Sequence, residues 1–471
     1  MRIRFPSLLL LAVLATTTSV QAQNRDAELL NLMEEAGIPG LGVAVLLRGE
    51  LSYVRTFGVR SNATSPRADT SSVFEAASLT KPIVAYIAMQ LVDEGVLNLD
   101  RPLSDYVTYP DVAHSSRAAG ITARMVLSHT SGLPNWRPSA GRLDLVNAPG
   151  QTFSYSGEGF LYLQRAIEAL LSRPLHAAAD DRVFLPMGMT SSGLIWKEEF
   201  RAVIAVGHSA TGLPFDKFVP TEANAAYSLH TTPSDYARFL ANVLAGEGLS
   251  TESVSEMNAL QADAEEGVSW GLGWGRERTS RGQALWHWGD NRGYKAFVAG
   301  YPGQGRGFVV LTNSDNGMLA LHRLVEILDD TPHPAVNWLD YERFDTPSFQ
   351  AGRALQAALA DSTAPSLRTV YSDLKKRFDR DAFNEDTLND LGYRLLRAGE
   401  GQSAIAILEL NVSEYPNAAN PYDSLGEAYM LAGELDKALL NYRVSVELDP
   451  ENTNGKAMIA RLEAQLNSGS R

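Results

Sequence analysis

The chain has 471 residues, of which 45% are hydrophobic and 20% charged, so it is long enough for two or three globular modules and too apolar for a disordered protein. The 55 acidic residues outnumber the 41 basic ones and give a net charge of −14, which disfavours binding to nucleic acid or to an anionic membrane surface. The absence of cysteine excludes disulfides, thiolate metal sites and a cysteine nucleophile.

The first residues have the pattern of an export signal. Arg2 and Arg4 precede an apolar run at 8–15, and the small residues Val20 and Ala22 follow at the positions that a signal peptidase reads. We therefore predict a signal peptide cleaved after Ala22 and a periplasmic or secreted protein. The run is too short to span a bilayer, and no later stretch is apolar enough, so no membrane span is expected.

Strand and helix signals then follow in chain order. Apolar runs at 41–47 and 51–57, separated by a polar turn, predict a β-hairpin, and residues 78–243 have a pattern of helices and loops. Strand signals return over 285–298 and 307–312 on either side of a glycine-rich turn. Strands at both ends with helices between them predict an α+β domain in which N- and C-terminal segments build one sheet.

A closing helix is predicted over 316–328, so this first domain occupies residues 23–330. A proline-bearing polar connector follows at 331–348. The remainder, 349–471, is predicted to be all-helical.

The helical region contains an internal repeat. Five pairs of like residues are separated by 34 positions, namely Leu391 and Leu425, Gly392 and Gly426, Gly399 and Gly433, Ala404 and Ala438, and Pro416 and Pro450. This region resembles tetratricopeptide repeats, in which small residues let paired helices approach closely. We expect a degenerate first repeat at 349–378 and a capping helix at 453–466. The resemblance implies a possible peptide or protein partner. The alternative is a plain helical bundle with accidental spacing.

A search for catalytic motifs leaves one candidate nucleophile. The chain has no Gly-x-Ser-x-Gly elbow, no His-Glu-x-x-His pair and no phosphate-binding loop, but it has two Ser-x-x-Lys sequences. Ser372 and Lys375 lie among charged residues typical of a solvated face, and we interpret them as a chance copy. Ser78 and Lys81 begin a helix that is apolar on almost every side and is therefore predicted to be buried. Burial lowers the proton affinity of an amine, so Lys81 could take the Ser78 proton.

The surroundings of Ser78 resemble the serine β-lactamase and penicillin-binding superfamily, in the branch that holds class C β-lactamases, D-alanyl-D-alanine carboxypeptidases and related esterases. The likeness covers residues 29–328. Its anchors are six blocks in family order: Phe74 to Lys81, Leu91 to Asp100, Leu127 to Leu133, Tyr155 to Gly157, Pro186 to Met189 and Trp286 to Gly289. The resemblance implies a β-lactamase/transpeptidase-like antiparallel sheet with flanking and inserted helices.

The resemblance also implies catalytic roles. Ser78 matches the acylated nucleophile, Lys81 its proton acceptor or electrostatic partner, and Tyr155 the residue that moves a proton between serine, leaving group and water. Which of Lys81 and Tyr155 is the general base stays open, because coupled groups share their titration. No metal or cofactor is expected.

Further residues are implied on the strand that edges the site. His287, in His287-Trp288-Gly289, would contact Tyr155 or a substrate carboxylate. Gly289 and Asp290 would bind substrate, with the backbone N–H groups of Ser78 and Asp290 forming the oxyanion hole. His129 is instead predicted to anchor a loop.

One position departs from the family pattern. Gly157 replaces the usual asparagine, whose amide contacts the acylamide of β-lactams and peptides, and this favours esters or other small acyl substrates over β-lactams and D-amino-acid peptides. The expected activity is that of an exported serine hydrolase acting through a Ser78 acyl-enzyme on a small-molecule or peptide substrate. The alternatives are a sensor that binds penicillin or cell-wall fragments without turnover, and a repeat scaffold with an inert hydrolase domain.

Overall fold

The computed structural model describes residues 23–64, 66–137, 141–217, 219–265, 267–361, 366–378 and 383–469. The predicted signal peptide, residues 1–22, lies outside the described residues. The chain divides into two compact units, Met1–Tyr341 and Glu342–Arg471. The division falls inside the segment 331–348, which the sequence predicts as a connector.

The first unit is built on an antiparallel sheet of eight strands. Their order is β2-β1-β10-β9-β8-β7-β6-β5. The strands are β1 (Gly40–Leu47), β2 (Glu50–Gly58), β5 (Ala262–Glu265), β6 (Val268–Trp270), β7 (Gly275–Thr279), β8 (Gly282–Asn291), β9 (Tyr294–Tyr301) and β10 (Arg306–Thr312). Strand β1 pairs with β2 on one side and with β10 on the other, so the two ends of the unit meet in one sheet. This confirms the predicted α+β class and the antiparallel sheet built from N- and C-terminal segments.

The long strand signal at 285–298 forms two strands rather than one. β8 ends at Asn291 and β9 begins at Tyr294. Gly293 between them has φ +80°, a conformation that favours glycine, and its N–H donates to Asp315 Oδ1 at 2.7 Å. The turn packs against Gly207 and Phe215.

Helices and a second, two-stranded sheet pack around the large sheet. The small sheet pairs β3 (Phe74–Ala77) with β4 (Leu229–Thr231). The helices are α1 (23–36), α2 (Thr80–Asp93), α3 (Ala123–Leu127), α4 (Gly157–Leu171), α5 (Leu175–Ala179), α6 (Pro233–Ala245), α7 (Thr251–Asn258), α8 (Leu321–Asp329) and α9 (Pro334–Trp338). Helix α2 is buried from Thr80 through Met89, as its apolar sequence predicts, and lies at the centre of the core.

A buried ionic cluster fixes the segment that contains α9. His333 Nδ1 lies 2.5 Å from Glu277 Oε1 and its Nε2 lies 3.1 Å from Asp329 Oδ2, while Glu277 Oε2 accepts the Ala335 N–H at 2.8 Å. Burial lowers the pKa of His333, but the hydrogen bonds to Asp329 and Glu277 outweigh it and raise that pKa to about 9. An imidazolium between two carboxylates therefore holds this segment against β7.

We expect His333→Gln to lower the free energy of unfolding by about 3 kcal/mol near pH 6, because the folded pKa lies above the ordinary value of about 6.5. The contribution is complete below pH 6.5 and is lost as the pH rises through 9. Urea unfolding at pH 6, 7.5 and 9.5 measures this difference. His114→Gln, at an exposed histidine paired with Asp144, is the control, and an equal loss for His333→Gln at all three pH values would contradict the prediction.

The second unit, described by itself, is all-helical. Its helices are α10 (Pro347–Ala360), α11 (Leu367–Arg377), α12 (Glu385–Ala398), α13 (Gly401–Glu414), α14 (Ala419–Leu431), α15 (Leu435–Leu448) and α16 (Thr453–Gly469). Helices α14 and α15 begin 34 residues after α12 and α13. A Cβ on Gly392 would lie 2.6 Å from the Leu408 side chain, so this helix pair requires glycine at its crossing. Assignment to the tetratricopeptide class stays a prediction.

In the described part of either unit, no helix is both long enough and apolar enough to cross a membrane.

Candidate active site

Ser78 lies in a tight turn between β3 and α2. The preceding residue, Ala77, is a buried non-glycine residue with φ +49°, a conformation that costs an L-residue about 1 kcal/mol or more. Thr80 stabilises the turn, since its Oγ1 donates to the Ala77 carbonyl at 2.7 Å and accepts the Leu229 N–H at 2.9 Å. The turn therefore presents Ser78 at the amino end of the central helix.

Lys81 is wholly buried one turn further along α2. Its Nζ lies 3.0 Å from Ser78 Oγ and donates to the Ala226 carbonyl oxygen at 2.8 Å. Burial holds the pKa of Lys81 well below the usual 10.5. A neutral amine keeps a lone pair, so Lys81 can donate to Ala226 and still accept the Ser78 proton.

Tyr155 lies beside Ser78 and Lys81 and is the third predicted catalytic residue. Lys81 Nζ lies 4.8 Å from the centre of its ring, and Trp288 covers the ring at a centroid distance of 4.5 Å. Burial raises the pKa of Tyr155 above 10, although an interaction with Ser78 opposes this. The phenol is therefore protonated near neutral pH, and the structure brings Ser78, Lys81 and Tyr155 together.

His129 supports Tyr155 from behind. It is fully buried, and its ring lies 4.2 Å from that of Tyr155 at an interplanar angle of 32°. Its Nδ1 accepts the Ser156 N–H at 3.0 Å, so the imidazole fixes the loop just before α4. Burial, with the nearby positive charge that Lys81 can carry, lowers the pKa of His129 well below 6.5 and keeps it neutral.

His287 is also buried and neutral. Its Nδ1 donates to the Trp288 carbonyl oxygen at 2.8 Å, and burial lowers its pKa to about 3. Its ring lies 6.1 Å from that of Tyr155. The neutral imidazole therefore lies beside Tyr155, and its contact with a substrate stays a prediction.

Gly289 is where β8 meets the nucleophile turn. A Cβ at this position would lie 2.4 Å from the Ala76 carbonyl oxygen and 3.1 Å from Ala77 Cβ, so only glycine allows this approach. The next residue along β8 is Asp290. Its carboxylate pairs with Lys295 at 2.9 Å.

Gly157 begins helix α4, two residues after Tyr155. Its N–H donates to the side-chain oxygen of Asn135 at 3.1 Å. The Ser156 side chain caps the helix by accepting the Gly159 N–H at 2.9 Å.

Two residues beyond the predicted catalytic domain reach this site, and sequence reasoning missed them. Tyr341 donates to Asp290 Oδ2 at 2.6 Å. Trp338 packs its ring 5.9 Å from that of Trp288 and 5.7 Å from that of Trp286. Both lie in the segment interpreted as a polar connector. The large aromatic residues of this segment were the only sequence signal that the segment packs against the first unit.

No group of three or more histidine or acidic side chains in the described ranges is arranged to hold a metal ion. The residues gathered at this site are a hydroxyl, a buried amine and a phenol, from Ser78, Lys81 and Tyr155.

Comparison with known proteins shows the family of the chain. The Beta-lactamase family profile matches residues 26–329. Penicillin-binding protein 4 of Amycolatopsis lactamdurans is 29% identical over 315 residues, covering 60% of this chain and 82% of that protein. Esterase EstB of Burkholderia gladioli is 29% identical over 213 residues, covering 39% of this chain and 54% of that protein.

Solved structures share the fold. The octameric penicillin-binding protein homologue from Pyrococcus abyssi superposes with a TM-score of 0.57 at 21% identity, covering 71% of this chain and 81% of that one. A class C β-lactamase gives a TM-score of 0.57 at 20% identity, covering 66% of this chain and 95% of that one. Because the profile spans more than half of its residues, the chain belongs to the Beta-lactamase family, with relatives named as penicillin-binding proteins, an esterase and class C β-lactamases.

Proposed function

We propose that this protein is an exported serine hydrolase that cleaves small esters through an acyl-enzyme on Ser78. The observation that carries the proposal is the buried amine of Lys81, which lies 3.0 Å from Ser78 Oγ and whose pKa burial holds well below 10.5. Export rests on the predicted signal sequence at 1–22. Preference for esters rests on Gly157, which has no side-chain amide to hold an acylamide.

In the acylation step Lys81 accepts the Ser78 proton while Ser78 Oγ attacks the substrate carbonyl carbon. The new bond joins Oγ to that carbon, and the bond to the leaving alcohol oxygen breaks. The backbone N–H groups of Ser78 and Asp290 would stabilise the charge on the carbonyl oxygen. The approach of these two N–H groups to one oxygen depends on Gly289, because β8 could not pack against the Ser78 turn with a larger residue there.

The leaving alcohol oxygen takes a proton from Tyr155, and the proton held by Lys81 restores the phenol. The pKa shifts of Lys81 and Tyr155 are opposite in direction and support these two roles. Burial favours the uncharged form of each side chain, which leaves the amine as proton acceptor and the phenol as proton donor. Water then attacks the acyl-enzyme, which releases the carboxylic acid and returns the proton to Ser78.

The test measures kcat/KM of the full chain for p-nitrophenyl acetate, for nitrocefin and for a D-alanyl-D-alanine peptide, together with fluorophosphonate labelling followed by peptide mass spectrometry. We expect the ester to be cleaved fastest and the label to lie on Ser78. A penicillin adduct that persists without turnover would favour the sensor alternative. Failure of all three substrates and of labelling would overturn the proposal.

Removing the Tyr155 hydroxyl should lower kcat/KM by an amount that depends on the leaving group of the ester. Tyr155→Phe is expected to reduce kcat/KM by about 10²- to 10³-fold for an ethyl ester, whose alkoxide needs a proton, and by much less for a p-nitrophenyl ester. Steady-state rates for esters with the same acyl group measure this difference. Tyr162→Phe, at another buried tyrosine near the start of α4, is the matched control. Equal losses for both esters would contradict the role as proton donor.

A further inference from the structure

The segment 333–341 runs along strand β8 towards the end of that strand. Three of its side chains contact positions that advance along β8, namely His333 at Glu277 (the β7 partner of Ala284), Trp338 at Trp286 and Trp288, and Tyr341 at Asp290. The β8 positions in this series are two residues apart and therefore share one face of the sheet. The segment thus lies over that face, and its last contact is with the end of β8.

The segment 333–341 lies outside the residues that match the family. The Beta-lactamase profile covers residues 26–329, which include β8 but not Tyr341. A role for Tyr341 must therefore be inferred from the contacts that it makes in this chain.

The end of β8 is paired with a strand on one side only. Strand β7 pairs with β8 as far as Trp286, whereas β9 pairs with it as far as Asn291. Among the described strands, none pairs with the other side of residues 287–291. Gly289 in this stretch packs against the carbonyl oxygen of Ala76, two residues before Ser78. The position of these last residues of β8 therefore depends on β9 and on side-chain contacts.

The Asp290 carboxylate is held at both of its oxygens. Lys295 Nζ, from β9, lies 2.9 Å from Oδ1, and the Tyr341 hydroxyl donates to Oδ2 at 2.6 Å. Lys295 is itself fixed, because its Nζ also lies 2.8 Å from Asp315 Oδ1 and donates to the Asn291 carbonyl oxygen at 3.0 Å. Since Lys295 belongs to the same hairpin as Asp290, the contact with Tyr341 is the one that ties Asp290 to the segment 333–341.

The Tyr341 hydroxyl also lies near the catalytic phenol. Burial and the Asp290 carboxylate raise the pKa of Tyr341 above 10, and negative charge on Tyr155 would raise it further. The hydroxyls of Tyr341 and Tyr155 are therefore within electrostatic range of each other. Because Tyr341 stays protonated near neutral pH, it remains a hydrogen-bond donor to Asp290 there.

We propose that Tyr341 is a positioning residue of the Ser78 site, which acts through Asp290 to hold the end of β8 beside the nucleophile turn. The inference rests on the proposed function, in which the N–H groups of Ser78 and Asp290 stabilise the charge on the substrate carbonyl oxygen. These two donors belong to different elements, so the distance between them depends on how firmly the end of β8 is held. A small misplacement of such a donor is enough to slow the reaction.

The experiment uses two substrates that differ only at the carbonyl group. It measures kcat/KM of the full chain and of Tyr341→Phe for p-nitrophenyl acetate and for its thionoester, in which sulfur replaces the carbonyl oxygen. Sulfur is a weak hydrogen-bond acceptor, so the thionoester gains little from the oxyanion hole. We expect Tyr341→Phe to lower kcat/KM by about 10- to 30-fold for the ester and by less than about threefold for the thionoester. A smaller folded fraction would lower both values equally, and equal changes, including no change, would overturn the inference.

Two further variants test whether Tyr341 acts through Asp290. Asp290→Ala removes the acceptor and should reproduce the loss for the ester, and the double variant should lose no more than either single variant. Losses that multiply would overturn the inference. Tyr53→Phe is the matched control, because Tyr53 also donates to an aspartate, Asp26, and lies on β2, which β1, β10 and β9 separate from β8. This control should change neither rate.

Hydrogen exchange separates this inference from the proposed function. Amide exchange of peptides that cover residues 286–293 is measured by mass spectrometry in the wild type, in Tyr341→Phe and in Tyr53→Phe at the same pH. These peptides are expected to exchange at least about threefold faster in Tyr341→Phe and at the wild-type rate in Tyr53→Phe, with or without ester turnover. Unchanged exchange in Tyr341→Phe would refute the positioning role, whereas faster exchange in a protein that cleaves no ester would refute only the proposed function.

Discussion

Ser78→Ala is expected to lower kcat/KM for any hydrolysed ester by about 10⁴-fold or more, because the acyl-enzyme cannot form without the hydroxyl. The folded structure should be retained, since the substitution removes one oxygen from a partly exposed side chain. Initial-rate assays with the wild type at equal protein concentration measure the loss. Ser372→Ala is the matched control, because Ser372 belongs to the second Ser-x-x-Lys sequence and is exposed on α11.

Retention of hydrolysis in Ser78→Ala would end the mechanism. Fluorophosphonate labelling of the two variants gives the same comparison without a substrate. The label should be lost from Ser78→Ala alone.

Lys81→Met is expected to lower kcat/KM by about 10³-fold, because the substitution removes the amine that lies 3.0 Å from Ser78 Oγ. Methionine fills a similar volume, so the surrounding core should persist. Lys375→Met on α11 is the matched control. The variant should also label slowly with a fluorophosphonate, since its Ser78 lacks a proton acceptor, and a wild-type labelling rate would contradict the assignment of the base.

The same substitution has a stability signature. Lysine titrates near 10.4 in an unfolded chain, whereas burial holds the pKa of Lys81 well below this value in the folded protein. Between the two values the unfolded state binds more protons, so this group makes the wild type more stable as the pH rises, by at most about 1.4 kcal/mol per pH unit. Lys81→Met lacks this dependence.

The free energy of unfolding of Lys81→Met, relative to the wild type, should therefore increase as the pH is lowered from 10 towards 6. Urea unfolding of the two proteins at pH 6, 7, 8 and 9 measures the trend. A difference that stays constant over this range would mean that Lys81 is charged in the folded protein, and the proposed base would be lost with it.

Several parts of the site could be predicted from local sequence. The apolar residues that surround Ser78 and Lys81 predict a buried helix, and α2 is buried with both side chains at its amino end. Sequence spacing also placed the two side chains on one side of the helix, since three residues make almost one turn. The apolar run at 41–47 predicted a strand, and this strand is β1, which lies between β2 and β10 in the sheet.

Other parts depended on contacts between distant segments. The strand signal at 285–298 contains the run Gly289-Asp290-Asn291-Arg292-Gly293, and the turn at Gly293, whose N–H donates to Asp315 Oδ1, divides it into β8 and β9. The segment 331–348 reads as polar and proline-bearing, yet His333, Trp338 and Tyr341 attach its first part to the catalytic unit. A single histidine or tryptophan carries no periodic signal, so its partners are known only once the chain is folded.

The sequence by itself determined the α+β class, the buried Ser78–Lys81 helix and the absence of a side chain at Gly157, because hydrophobic periodicity and residue type act locally. Only the tertiary structure decided what fills the space beside Gly157, where the Trp136 indole comes from a loop 21 residues earlier in the chain. It also decided the protonation of Lys81 and Tyr155, because the pKa of each group depends on how completely distant segments exclude water from it.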